Sequence, residues 1–143
     1  MKTVGQLLSE KRMPVTSVAP GQTVLEALKI MAEKNIGSVL VLDGDRLVGI
    51  FTERDLARKV AQNVCDTPTL RVQDLMSEKV IYVTPERTAG ESMAIMTEKR
   101  CRHLPVLDQG HKVIGIISIG DLVKEALEEQ KFTIEQLVAY IAS

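Results

Sequence analysis

Two runs of the chain place a hydroxyl and a carboxylate three residues apart, directly after an apolar strand end. One is Gly115-Ile116-Ile117-Ser118-Ile119-Gly120-Asp121-Leu122 and the other is Gly49-Ile50-Phe51-Thr52-Glu53-Arg54-Asp55-Leu56. A Ser or Thr at a helix N-cap accepts a bond from the N–H three residues on, and an acid at that third position accepts one from the N–H of the cap. Ile117 and Phe51 before the caps would staple to Leu122 and Leu56 after them. A helix start also exposes unpaired N–H groups and a partial positive charge, which suit a phosphate. Two chemistries are therefore open at Ser118/Asp121 and at Thr52/Asp55: a cap that only starts a helix, or a corner that also holds an anionic ligand.

Other reactive groups are arranged less purposefully. His103 and His111 have no partner at metal-ligand spacing, and Cys65 and Cys101 have neither zinc nor redox spacing. Cys101 reads as a small buried hydrophobe. No activated nucleophile, Walker loop or dinucleotide glycine fingerprint is legible, so no catalysis is expected. Aromatic residues make up 3% of the chain and Trp is absent. Base stacking, on which single-stranded nucleic-acid binding relies, therefore has little to work with. A net charge of −1 argues against a large phosphate-backbone footprint. With no membrane-length apolar run and no signal-peptide pattern at the start, a cytoplasmic chain with free thiols is expected.

The elements that would position these groups occur twice. At a shift of 65, Val15, Val18, Pro20, Thr23, Glu26, Ile30, Met31, Glu33, Lys34, Val41, Leu42 and Asp43 meet identical residues. One extra residue in the second hairpin makes the shift 66, at which Gly49, Ile50, Asp55 and Leu56 meet Gly115, Ile116, Asp121 and Leu122. The chain is a tandem duplication. In the first unit, Val15–Val18 reads as a short strand and Thr23-x-x-Glu26 as a capping box opening a helix. Ser38–Leu42 is an apolar strand, Asp43-Gly44-Asp45 a turn, Leu47–Phe51 a strand, and Thr52–Gln62 a helix. The second unit repeats this β-α-β-β-α order: strand 80–83, helix from Thr88, strand 103–107, strand 112–117 and helix 118–130. Residues 3–11 read as a short amphipathic helix. Residues 63–79 form a linker, with Pro68 as a breaker and Val72–Met76 as a helical turn. Thr133 starts a separate last helix, capped by Gln136 and stapled by Phe132 to Leu137. Its stripe of Ile134, Leu137, Val138 and Ile141 must pack either on its own fold or on another chain.

A pair of β-α-β-β-α units, each ending in Gly-apolar-apolar-Ser/Thr-x-x-Asp-Leu, resembles a tandem CBS-domain pair of the cystathionine-β-synthase type. Arg102-His103-Leu104-Pro105-Val106-Leu107-Asp108 resembles the family's second central strand. The resemblance covers about residues 13–128 and implies an α+β fold of two repeats packed about a pseudo-twofold axis, with an added C-terminal helix. The expected organisation is an N-terminal helix and repeat 1 over 1–62, a linker over 63–79, repeat 2 over 80–130 and a last helix over 131–143.

The resemblance also implies two clefts that take adenosine-containing ligands: AMP, ADP, ATP, NAD or S-adenosylmethionine. Carried onto matching positions, one cleft would use Asp121 for the ribose hydroxyls with Ser118 beside it. Arg102 and His103 would stand at its phosphate end, and the strand Thr16, Ser17, Val18 at its base. The other would use Asp55 and Thr52, with Gly37 and Ser38 at the phosphate end and Ile81, Tyr82 and Val83 at the base. The clefts should be unequal: Lys99-Arg100-Cys101-Arg102-His103 is rich in positive groups, whereas Lys34-Asn35-Ile36-Gly37-Ser38 has one. Arg meets a phosphate through two parallel N–H···O bonds, so the Asp121 cleft should take the more anionic ligand. The function so implied is a non-catalytic nucleotide-binding sensor, assembled as a homodimer and read by a regulated protein partner whose identity the sequence does not give. No metal, nucleic acid or membrane is involved in this reading. A structural dimerisation or interaction module with empty clefts is the other reading.

Overall fold

The duplication of sequence is a duplication of structure. The computed structural model describes residues 2–10, 15–62 and 69–142. In chain order the elements are α1 (Val4–Glu10), β1 (Ser17–Val18), α2 (Val24–Lys34), β2 (Ser38–Asp43), β3 (Arg46–Thr52), α3 (Glu53–Ala61), α4 (Val72–Leu75), α5 (Ala89–Lys99), β4 (His103–Leu107), β5 (Val113–Ser118) and α6 (Ile119–Ala142). They fall into two units. One holds residues 14–80, and the other holds residues 81–143 together with the N-terminal segment that carries α1.

In the first-repeat unit β1 runs parallel to β2, and β3 returns antiparallel, with Val39 opposite Phe51 and Val41 opposite Gly49. The apolar run of β2 is buried over Val39, Leu40 and Val41, as a strand covered on both faces requires. Val24, Ala27 and Met31 recur at helical spacing on α2 and close over the sheet, together with Phe51, Val72 and Leu75. The second-repeat unit repeats the design. Antiparallel β4 and β5 pair Val106 with Gly115, and Val83 forms a single parallel bridge to Val106 where the first unit has β1. Val83, Ala89, Met96, Leu104, Val106, Ile117 and Leu122 form its core, and Val4 of α1 joins them.

The lead segments are exchanged between repeats. α1 precedes repeat 1 in the chain but docks on repeat 2, through Val4 N–H to the Arg87 carbonyl (2.8 Å), Gly5 N–H to Pro85 (2.9 Å) and Ala89 N–H to Lys2 (2.9 Å). α4 precedes repeat 2 but docks on repeat 1 through the matching set: Val72 to Gln22 (2.9 Å), Gln73 to Pro20 (3.0 Å) and Val24 to Leu70 (2.9 Å). Each docked segment fills the space left by a missing Cβ. A Cβ on Gly49 would lie 2.7 Å from Met76 Sδ and 2.9 Å from the Ser77 carbonyl, and one on Gly115 would lie 2.8 Å from a Leu8 methyl.

Several expectations change in detail. The expected strand 80–83 contributes only the Val83 bridge, and β1 is two residues long. Thr88 and Glu91 complete the expected capping box, whereas Thr23 caps alone and the Glu26 carboxylate accepts from the Gln22 amide instead. The extra residue of the second hairpin is absorbed by His111 in the left-handed region (φ 61), while Asp108 Oδ1 accepts from Gly110 and Lys112 N–H (2.9 and 3.0 Å). The largest change is at the end of the chain. No helix starts at Thr133, because α6 runs unbroken for 24 residues. Beyond Gly120 the run contains neither Gly nor Pro, and Thr133 Oγ1 donates back to the Glu129 carbonyl (3.1 Å) instead of capping a new turn. Cys65, Pro68 and Lys11 lie outside the described residues.

Candidate functional site: two helix-start corners

Each repeat ends its last strand in a corner built the same way. In the first-repeat unit the Thr52 and Asp55 side chains form a tight reciprocal box. Asp55 Oδ2 accepts from Thr52 N–H (2.9 Å) and from the Thr52 hydroxyl (3.0 Å), and Thr52 Oγ1 accepts from Asp55 N–H (3.2 Å). In the second-repeat unit Ser118 Oγ accepts from Asp121 N–H (3.2 Å), while Ser118 N–H reaches Asp121 Oδ2 at 3.4 Å, a longer bond. Both aspartates and both hydroxyl residues are half-buried.

The segment before the central strand closes onto each corner. Ile119 N–H donates to the Arg102 carbonyl (2.8 Å), and Glu53 N–H donates to the Gly37 carbonyl (3.0 Å). His103 pairs with Ser118 in the β4–β5 register, and Ser38 pairs with Thr52 in the β2–β3 register. The sequence-derived groups therefore meet within each unit: Arg102, His103, Ser118 and Asp121 in one, and Gly37, Ser38, Thr52 and Asp55 in the other. The Arg102 and His103 side chains are exposed, and neither makes a hydrogen bond or ion pair with the described residues. At the matching positions Gly37 and Ser38 the first corner has no cation, and its nearest one in sequence is the exposed Arg54 in the first turn of α3. There the exposed Glu53 carboxylate lies 3.8 Å from where a Cβ on Gly37 would sit, whereas the matching residue of the second corner is the apolar Ile119.

The remaining candidates sit in or just before the first strand or bridge of each repeat. Ser17 is exposed and Thr16 half-buried beside β2, where the Thr16 carbonyl accepts from Leu40 N–H (3.4 Å), and Val18 is a core residue. Val83 is likewise core, while Ile81 and Tyr82 are exposed at 36% and 41%. The Tyr82 ring stands edge-on to His111, with centroids 6.0 Å apart. Cys101 is half-buried beside the second core, and desolvation pushes its thiol above the ordinary range.

Sequence reasoning missed what borders Asp121 on its other side. A cavity of about 230 Å³ is lined by Leu7, Leu8 and Glu10 of α1, Ile116 and Ile117 of β5, and Asp121, Lys124, Glu125 and Glu128 of α6. Ligand sites usually run from about 300 to 1,000 Å³, so this space is too small for a whole nucleotide. Its four carboxylates against one lysine also disfavour a phosphate. α1 is held beside it by Lys2, whose ammonium contacts Glu10 (2.8 Å) and the buried Glu125 (3.7 Å). The hydrogen bond that Lys2 donates to Glu10 holds the Lys2 pKa above its ordinary value. The signal for this docking is faint: Thr3-Val4-x-x-Leu7-Leu8 matches Arg71-Val72-x-x-Leu75-Met76 in pattern more than in identity.

Fold and corners together define a pair of CBS domains. The CBS domain family model matches residues 4–62 and 72–128, and the chain belongs to that family. It is 39% identical over 125 residues to the mitochondrial CBS domain-containing protein CBSX3 of Arabidopsis thaliana, covering 83% of this chain and 60% of that protein. The chain thus spans less than two thirds of this relative. Among solved structures, a putative signal-transduction protein with CBS domains from Burkholderia ambifaria superposes with a TM-score of 0.76 at 50% identity, over 90% of this chain and 96% of that one. The structure of CBSX2 in complex with AMP superposes with a TM-score of 0.76 at 28% identity, over 91% and 99% of the two chains. Among the described residues, no helix is long and apolar enough to cross a membrane, and no cluster of three His, Cys, Asp or Glu side chains could hold a metal ion.

Proposed function

We propose that this CBS pair is a non-catalytic regulatory module that binds an adenosine-containing nucleotide, with the corner at Asp121 as the stronger site. The observation that carries this reading is the meeting of Arg102, His103, Ser118 and Asp121 at the start of α6, with the Arg102 guanidinium uncommitted. The helix start offers N–H groups and positive potential to a phosphate, Arg102 adds a two-pronged donor, and the Asp121 carboxylate is an acceptor for ribose hydroxyls. The AMP complex of a structural neighbour supports the ligand class. AMP, ADP, ATP and NAD share the recognised chemistry, so experiment must distinguish them. Ser38, Thr52 and Asp55 form the weaker corner, where Glu53 opposes added negative charge. The exposed residues Ser17, Ile81 and Tyr82 and the half-buried Thr16 are the proposed adenine contacts. Binding shifts the protein between arrangements only by its differential affinity for them, and a partner protein reads the result.

A thermal-shift panel with AMP, ADP, ATP, NAD, S-adenosylmethionine and a GTP control tests this. A ligand at about 100 times its dissociation constant adds about 2.7 kcal/mol, worth several degrees in a domain of this size. The expected result is stabilisation by at least one adenosine compound that is lost in Asp121→Ala, each protein being compared with its own unliganded midpoint. No shift with any compound would reduce both aspartates to helix caps.

A further inference from the structure

We infer that α1 is a strap latched by charge, through Lys2 and the buried Glu125, and that its docking is coupled to occupancy of the Asp121 corner. The coupling rests on the nucleotide reading above; the latch does not. Comparison of the repeats singles it out. The two lead segments make matching backbone bonds to their host units, but their side chains hold them differently. The carbonyl that receives the Ala89 N–H belongs to Lys2, whereas the one that receives the Val24 N–H belongs to Leu70, which packs on the first core. Thr3 turns back on Gln6 within α1 (2.9 and 3.3 Å), whereas Arg71 at the matching place reaches across to the Gly21 carbonyl (3.0 Å). On the host side, Glu125 of α6 stands where α3 has Lys59. The charged pair of the second-repeat unit therefore has no counterpart in the first, where the matching residues are Leu70 and Lys59.

Glu125 is only 7% exposed, and the Lys2 ammonium lies 3.7 Å from its carboxylate. Removing one partner of a buried ion pair is costly, because the other charge stays buried without compensation. Here the fold has a way out: the carboxylate is hydrated if α1 lifts away. The charge on Lys2 therefore sets the balance between docked and released α1. The same helix face leads back to the corner. Asp121, Glu125 and Glu128 recur at i, i+4 and i+7 on α6, and all three line the cavity that Leu7 and Leu8 of α1 close. The bond from Ser118 N–H to Asp121 is long, at 3.4 Å, so the corner's own box holds this first turn loosely. A docked α1 steadies the turn that carries Asp121, and a ligand that engages the Asp121 carboxylate favours the docked arrangement. Docked and released α1 are thus the two arrangements between which the ligand selects.

Amide hydrogen exchange of the full chain, followed by NMR, tests the latch. The Val4, Gly5 and Ala89 amides report on α1, and the Val24, Val72 and Gln73 amides report on α4 as an internal standard. Lys2→Met should speed exchange of the first set by at least about 10-fold and leave the second set unchanged. Lys2→Met/Glu125→Gln, which removes both charges at nearly constant shape, should restore most of the protection. Unchanged α1 amides in Lys2→Met overturn the latch. So does a rise in both sets together, or a double variant no better protected than Lys2→Met. For the coupling, saturating AMP should slow the α1 amides by about 5-fold or more, and Lys2→Met should weaken AMP binding in calorimetry by the same factor, because coupling is reciprocal. Tight AMP binding that moves neither quantity overturns the coupling. No AMP binding by the intact chain overturns the nucleotide reading and the coupling with it, while exchange in the unliganded chain still decides the latch.

Discussion

The Asp55 and Asp121 corners descend from one design and differ in what each leaves available. At the first, Thr52 and Asp55 bond each other tightly, Glu53 stands at the helix start, and Gly37 and Ser38 bring no charge. At the second, the reciprocal bond lengthens to 3.4 Å, Ile119 replaces the acid, and Arg102 and His103 arrive with uncommitted side chains. The backbone is conserved between the corners down to the bond from the first helical N–H to the carbonyl before the central strand. Fold requirements therefore account for what the corners share, and ligand chemistry is the economical explanation for what they do not.

The largest expected effect comes from removing that difference. Arg102→Ala should weaken AMP binding by about 10- to 100-fold, the size of a charge-assisted hydrogen bond, with adenosine itself little affected; calorimetry with both compounds checks this. Conversely, Gly37→Arg combined with Glu53→Ile should raise AMP affinity at the first corner, because a Cβ on Gly37 meets nothing closer than Glu53 at 3.8 Å. An unchanged affinity in both variants would break the comparison.

The glycine that opens each motif strand provides the next contrast. Gly49→Ala should cost about 2–3 kcal/mol in urea denaturation, since the added methyl meets the Ser77 backbone as well as Met76. Gly115→Ala should cost about 1 kcal/mol, because the obstacle is the end of the Leu8 side chain. Equal losses would mean that the two lead segments are held equally firmly. Thr52→Ala and Ser118→Ala should each cost about 1 kcal/mol as lost caps, with Thr52 the more costly because its box is tighter.

The smallest effect is on pH dependence. The Arg87 side chain (2.8 Å), helped by Thr88, holds the Glu91 carboxyl below its ordinary pKa. A carboxyl depressed in the folded state contributes stability above its unfolded pKa, and that contribution is lost as pH falls through the folded value. Glu91→Gln should therefore flatten the acid end of a melting-temperature profile and leave neutral pH nearly unchanged.

Much of this was legible in the sequence where the governing rule is local. The caps at Thr52, Thr88 and Ser118, the central strands and the uneven basic residues each follow from neighbours a few positions apart, and the repeat from identities at a shift of 65. Thr23 was half right, because Gln22 competes for the Glu26 carboxylate. The exchange of α1 and α4 was hidden, since it depends on Leu8 finding the gap at Gly115 more than a hundred residues away. The false start at Thr133 shows the converse: Phe132-Thr133 carries a sound local cap signal, but an uninterrupted run of helix formers overrides it, and the hydroxyl bonds backwards within α6.

The most direct test of the central claim is calorimetric titration of AMP into the intact chain, Asp121→Ala and Asp55→Ala. Unequal corners predict a tight binding event that Asp121→Ala removes and Asp55→Ala preserves. Identical losses in the two variants, or tight binding that survives Asp121→Ala, would contradict the claim.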